Sequence, residues 1–248
     1  MKISGSGKLS AGKINEELYT SGSTRIEGDF ECNGFRSSGS FRGSSNLTVH
    51  GDFKSSGSFR LVGSIQGDGD LRSSGSARVD GEISIKGKLE SSGSLRVGKK
   101  IEALQGIKFT GSSNVKGSLF SERSIQITGS TTIYGDIDGS TIYIQVGRVL
   151  GGRSAFKHPV KVYGNIFGRK SVILVRTLVD GDVKGRDVIV GRNTEILGKI
   201  YYVDNLEINE NSKLNHDPIQ ISAEELDIPR NMNKQDLKYN NIDVKKED

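Results

Sequence analysis

The sequence predicts an all-β protein wound as a solenoid, with about 18 residues and three short strands in each coil. The first observation is a motif that returns on schedule: SSGS at residues 37–40, 55–58, 73–76 and 91–94, TSGS at 20–23, and TGS at 110–112 and 128–130. Its glycines, Gly22, Gly39, Gly57, Gly75, Gly93, Gly111 and Gly129, lie 17 residues apart once and 18 apart thereafter. Flexible linkers have no reason to keep register, so a fixed period of this size marks a repeat architecture. The second observation is strict apolar/polar alternation, the period of a strand. The third is that this parity runs on for many periods, whereas hairpin turns would reset it.

One period shows how a coil is built. In SSGSARVDGEISIKGKLE, residues 73–90, glycines fall six apart at Gly75, Gly81 and Gly87. Between them Ala77, Val79, Ile83, Ile85 and Leu89 alternate with polar residues, which predicts three strands with one face inward and glycine near each corner. The parity predicts that the serines flanking the motif's glycine point outward, while Ser55, Ser73 and Ser91 point inward, where only a small side chain fits. One coil cannot bury its own inner face, so stacking at about 4.8 Å supplies both the core and the backbone hydrogen bonds.

The one 17-residue gap has to be absorbed locally, and parity slips near Gly34–Phe35, as at a corner or bulge. The pattern blurs again after Gly139. TIYIQVGRVLGGRSAFKHPV, residues 141–160, reads as two apolar strand segments and an irregular loop near 145–160. The unit V-x-G-x-[IV] then returns around Gly164, Gly181 and Gly198, spaced 17 apart. The solenoid is therefore expected to fill residues 1–216 as one domain of about 12 coils and roughly 55–60 Å. Residues 217–248 form a tail that either caps the last coil or extends unstructured, with a short helical turn expected at Ala223–Leu226.

Composition narrows the setting. There is no run of about 18 apolar residues, no apolar segment of signal-peptide type at the N-terminus, and a single cysteine, Cys32. A cytoplasmic, disulfide-free chain is expected. The net charge is +5; the tail carries eight acids and five bases, which leaves about +8 on residues 1–216. That favours an anionic partner only weakly.

Motifs for chemistry are sparse, and no enzyme, cofactor or metal is expected. His50 shares the outward parity, His158 precedes a proline in the irregular loop, and His216 opens the tail; none has the spaced partners of a metal set. Asp29, Asp52, Asp68, Asp70, Asp136 and Asp182 follow glycines, but the nonapeptide rhythm of calcium β-rolls is missing, and Asp beside Gly is ordinary turn chemistry. Gly147–Arg153 is glycine-rich without the Lys-Ser/Thr end of a phosphate loop. Acyltransferase and ice-binding solenoids rank lower, for want of a placed histidine and of paired threonines on a flat face. The candidate binding feature is an outward line of Arg42, Arg60, Arg78 and Arg96, each three residues after a corner glycine. It reads either as a solvated face with cross-coil ion pairs or as a ladder for an anionic partner.

Stacked V-x-G-x-I units with SGS steps over residues 3–210, opening on SGSGK at Ser4–Lys8, resemble the bactofilins, a family of bacterial polymer-forming cytoskeletal proteins. The resemblance implies a right-handed β-helix of triangular cross-section. It implies nucleotide-free assembly, coil end to coil end, into non-polar filaments or sheets that scaffold the cell envelope in shape, division or motility. The partners it implies are further copies of the chain, with the membrane surface or envelope proteins beside them and no nucleotide or nucleic acid. The longer rod and the break at 141–160 depart from the family's compact form.

Physics points the same way, because the end of a solenoid exposes unpaired strand groups and an apolar cross-section. Ile3, Leu9 and Ile14 are expected in the first coil, and Ile200, Tyr202, Leu206 and Ile208 in the last. These are the candidate polymerisation ends. The runner-up is a soluble solenoid that binds an anionic or protein partner on its outer face.

Overall fold

The computed structural model describes residues 1–146 and 159–226. The chain winds into a parallel β-solenoid of about 12 turns, about 18 residues each, with about 62% of the described residues in strands. Every strand pairs in parallel with the strand one coil away. Each coil contributes three strands to three faces. In the fifth coil these are Ser76–Val79 on the first face, Ile83–Ile85 on the second and Leu89–Ser91 on the third.

The register follows the sequence period. Ser76 stands opposite Ser58 and Ser94, Ile83 opposite Ile65 and Ile101, and Leu89 opposite Leu71 and Ile107. The inward residues Val79, Ile83, Leu89 and their counterparts are buried and form one continuous core. Fully burying each such side chain contributes about 1.5–3 kcal/mol, and only stacking achieves it.

The motif glycines are required by the neighbouring coil. A Cβ added to Gly57, Gly75, Gly93 or Gly111 would fall within 2.8 Å of three backbone atoms of the preceding coil, among them the carbonyl oxygen of the glycine below. That oxygen accepts the next coil's N–H: Ser76 N bonds Gly57 O at 3.1 Å and Ser94 N bonds Gly75 O at 3.0 Å. Glycine is thus a close-approach residue here. The left-handed backbone that glycine tolerates is found instead at Gly28 and Gly106.

The inward residues two before and two after each motif glycine share the corner's space. Ser37 faces in with Phe41, Ser55 with Phe59 and Ser91 with Leu95; one coil on, Phe109 faces in with Ser113. At these corners small is matched by large, and the order reverses at Gly111, while at Gly75 both residues are small, Ser73 and Ala77. Phe41 and Phe59 stack with centroids 4.9 Å apart, and Phe35 and Phe53 do so at 4.7 Å.

The irregularities sit at corners. Between Cys32 and Phe35 the chain turns on Asn33 and Gly34, whereas the next coil uses the three residues between Val49 and Phe53. That is where the 17-residue gap is absorbed. From Ile137–Gln145 onward the second and third faces run as one bent strand, repeated in Ile166–Val175, Val183–Val190 and Ile200–Ile208. Register shifts at Gly139/Thr141, Gly168/Ser171 and Gly185/Asp187 break the parity. The irregular loop expected near 145–160 lies mostly outside the described residues, and the next rung resumes with Val160 opposite Thr131. Where the SGS corner has been lost, Arg176 and Asn193 make the turn with positive φ, 58° and 54°.

Strand structure continues past residue 216: Ile219–Gln220 pairs with Tyr201 and Tyr202. The chain then forms the expected helical turn α1, Ala223–Leu226, opened by a capping box in which Ser222 Oγ accepts the Glu225 N–H and Glu225 accepts the Ser222 N–H. The helix packs on the outer side of Val183–Val190, where Lys184 Nζ donates to the Glu225 carbonyl and Leu226 is buried. The described part of the tail therefore turns back along the side of the solenoid.

Candidate functional site

Two surfaces of this solenoid concentrate unusual chemistry, its ends and the edge built by SSGS. At the N-terminal end Ile3, Leu9 and Ile14 occupy the outermost rung of the third, first and second faces, opposite Thr20, Ile26 and Cys32. All three are partly buried against the core, with one side left open. At the other end the expected set divides. Leu206 and Ile208 close the third face, Leu206 half-buried and Ile208 44% exposed. Ile200 is 1% exposed and lies one rung inside, as does Tyr202, because Ile219–Gln220 stacks on that strand. The terminal rung is completed by Leu214 and by Ile219–Gln220, in which Ile219 stands opposite Tyr201 in the outward row of Lys184 and is 40% exposed. Sequence reasoning missed this rung because Lys213–Leu214 and Ile219–Gln220 are too short to show alternation.

The arginine line is present in direct register. Arg42, Arg60, Arg78 and Arg96 stand opposite one another on four successive rungs, and Arg25 and Lys8 extend the row. Arg78 Nε bonds Asp80 at 2.6 Å and Arg60 lies 4.0 Å from the same carboxylate. Arg42 and Arg96 make no ion pair among the described residues.

A second row, missed in the sequence, lies across the corner: Lys2, Arg36, Lys54, Arg72 and Lys108, each three residues before a motif glycine or Gly5. The first row lies three residues after the same glycines. Over the seven corners from Gly5 to Gly111, the two rows hold 11 cations, one acid (Glu90), Tyr19 and Asn114. The signal was available as an offset from the glycine, but Tyr19 and Glu90 interrupt it. Between the rows run the exposed hydroxyls on either side of the glycine, such as Ser56 and Ser58.

Most ion pairs of these cations reach residues farther from the glycine in sequence, and the pair of Arg72 with Glu90 lies within the row itself. Lys54 pairs with Asp52 at 3.0 Å, and Arg72 with Asp70 at 3.0 Å and Glu90 at 3.2 Å. Along the hydroxyl rows a groove of about 710 Å³ runs from Lys2 to Lys108 and Thr110. Arg36, Lys54 and Arg72 form one wall and Ser38, Ser56 and Ser74 the other.

His50 belongs to a different corner. Its Nε2 lies 2.6 Å from Glu31 and its Nδ1 3.1 Å from Asp68, and Lys13 and Lys86 close the line at 2.6 and 2.8 Å. The line crosses five coils, with charges alternating in sign. The hydrogen bond to Glu31, then that to Asp68, raises the His50 pKa, while Glu31 and Asp68 are lowered, first by Lys13 and Lys86 respectively. A raised histidine stabilises the fold fully below its unfolded value, about 6.5, and that contribution is lost as pH climbs through the folded value. The carboxylates act in the opposite sense and lose theirs on acidification below about 4. In melts of wild type and His50→Gln, the wild-type advantage is expected to be present at pH 5.5–6 and to shrink toward pH 8. An advantage that grows with pH would contradict the geometry.

The remaining candidates read as structure. Asp29, Asp70, Asp136 and Asp182 each accept a backbone N–H from the next coil, from Asn46, Lys88, Asn165 and Lys199. Cys32 is buried, and burial pushes its thiol up to about 11. His216 is exposed. His158 and Gly147–Arg153 lie outside the described residues. Among the described residues no three His, Cys, Asp or Glu side chains gather to hold a metal ion, and no helix is long and apolar enough to cross a membrane.

Fold and surfaces together define a parallel β-solenoid repeat protein. Set against family models, curated proteins and solved structures, the chain has no match.

Proposed function

We propose that this chain is a non-enzymatic structural scaffold of bactofilin type, which self-assembles through the ends of its solenoid without nucleotide and organises processes at the cell envelope. The observation that carries the reading is the state of the two ends. Ile3, Leu9 and Ile14 at one end, and Leu206, Ile208 and Leu214 at the other, stay partly or largely exposed on terminal rungs. An end of this kind offers a second copy the same two things one coil offers the next: unpaired strand edges and open apolar positions. Beyond Ile219–Gln220, which joins the last rung, helix α1 packs along the side against Val183–Val190. Further copies of the chain are the principal partner, with the membrane surface or envelope proteins as the place where the polymer acts.

Sedimentation and negative-stain microscopy of the purified chain in nucleotide-free buffer test this. Pelletable filaments or sheets are the expected result. Monodisperse rods of about 55 Å at all concentrations would overturn it.

A further inference from the structure

We propose that the SSGS edge binds an acidic glycan, a chain with one carboxylate on each sugar, laid along the solenoid axis in the groove beside the serine row. The inference does not depend on end-to-end assembly, because the groove lies on the side of the solenoid.

Over the five coils from Arg36 to Lys108 the groove wall presents four cations, Arg36, Lys54, Arg72 and Lys108, and one acid, Glu90, at the rung spacing of about 4.8 Å. Lys2 opens the same wall, so it spans seven corners. The facing wall is hydroxyl at every coil, Ser38, Ser56, Ser74, Ser92 and Thr110, each both donor and acceptor. Lysine and arginine keep donors beyond the one that their own carboxylate takes. The edge therefore offers a cation and a hydroxyl at five of its seven steps, with Tyr19 and Glu90 at the other two, the complement of a sugar chain bearing carboxylates and free hydroxyls.

Spacing and wall chemistry separate this occupant from other polyanions. Duplex DNA carries one charge per roughly 1.7 Å of axis, and each strand one per roughly 3.4 Å, both denser than one cation per rung. Single strands are held by aromatic platforms under successive bases, and Tyr19 is the one aromatic residue on this groove. An extended acidic peptide carries one charge per residue, about 3.3 Å along its axis, again denser than one cation per rung. A glycan with one carboxylate per sugar spaces its charges about one rung apart.

The test is thermophoresis of the full-length chain with polygalacturonate in about 50 mM salt, against neutral dextran, polyphosphate and a thymidine oligonucleotide. Polygalacturonate is expected to bind tightest, dextran not at all, and affinity is expected to fall as salt rises. Lys54→Glu/Arg72→Glu is expected to weaken binding at least tenfold, Lys54→Gln/Arg72→Gln less so in the same direction, and Lys199→Glu, away from the groove, less than twofold. The Gln pair keeps the test sound if the Glu pair disturbs folding. No binding of polygalacturonate, binding equal to dextran, tighter binding of polyphosphate or oligonucleotide, or indifference to both groove pairs would each overturn the proposal.

Discussion

Gly93→Ala is expected to be among the most damaging single-methyl changes in this chain. The added Cβ would lie within 2.7 Å of the Gly75 and Ser74 carbonyl oxygens and the Ser74 carbonyl carbon. None of these atoms can swing aside as a side chain would. Ser92 N bonds Ser73 O at 2.9 Å and Ser94 N bonds Gly75 O at 3.0 Å, so making room separates two coils and strains both bonds. Overpacking costs about 1–3 kcal/mol, and each buried backbone group left unpaired costs about 1–3 kcal/mol more. A loss of more than about 4 kcal/mol is expected, which falls in the exceptional class for a point change.

The position magnifies it. Solenoid stability is a sum over neighbouring coils, and Gly93 lies mid-rod, so the damage divides the rod into two weaker stacks. Ser92→Ala, one residue away but exposed, is expected to change stability by less than about 0.5 kcal/mol. Thermal melts and hydrogen exchange check the pair, with fast exchange expected around residues 73–95 in Gly93→Ala. If Gly93→Ala melts with wild type, the close-approach account of the SGS ladder is wrong.

The second large effect is expected from Leu206→Lys. Leu206 is half-buried on the last rung of the third face, so its open side is what a following copy would cover. Completing the burial of a leucine contributes up to about 1.5–3 kcal/mol. An ammonium in its place must be stripped of water against an apolar surface, which adds several kcal/mol. Together these exceed about 3 kcal/mol, so the concentration needed for assembly is expected to rise at least about a hundredfold. Folding itself should survive, because the lysine can extend into solvent when no copy is present. Lys161→Glu, mid-rod and outward-facing, is the control and should assemble as wild type does. Filaments of Leu206→Lys at the wild-type concentration would remove this end from the interface.

The fold was largely legible because a solenoid repeats its physics. Each coil meets the same environment, so Gly57, Gly75, Gly93 and Gly111 recur, and inward Val79 and Ile83 stack on like residues. What was not legible is what depends on neighbours out of phase. The exchange of Ser91/Leu95 for Phe109/Ser113 conserves volume across a corner, which no single row of the pattern reveals. The bent strands after Gly139 absorb a shorter coil in a bulge, and parity cannot follow a bulge.

The ends were half legible. Ile3, Leu9 and Ile14 lie where alternation begins, whereas Ile200 and Tyr202 lie one rung inside the end, beneath a two-residue strand that carries no period. Of the charged edge, the row after the glycine was visible. The row before it was hidden by Glu90 and Tyr19, and only stacking makes Arg36, Lys54 and Arg72 neighbours.

The central claim is that copies join coil to coil, so that the axis of the solenoid becomes the axis of the polymer. Diffraction from aligned polymer, or cryo-electron microscopy of single filaments, measures this directly. The account predicts a repeat of about 4.8 Å along the filament axis, continuous through the junctions, with a subunit repeat of roughly 55–60 Å. A 4.8 Å repeat running across the filament would mean that rods associate by their sides, and would contradict it.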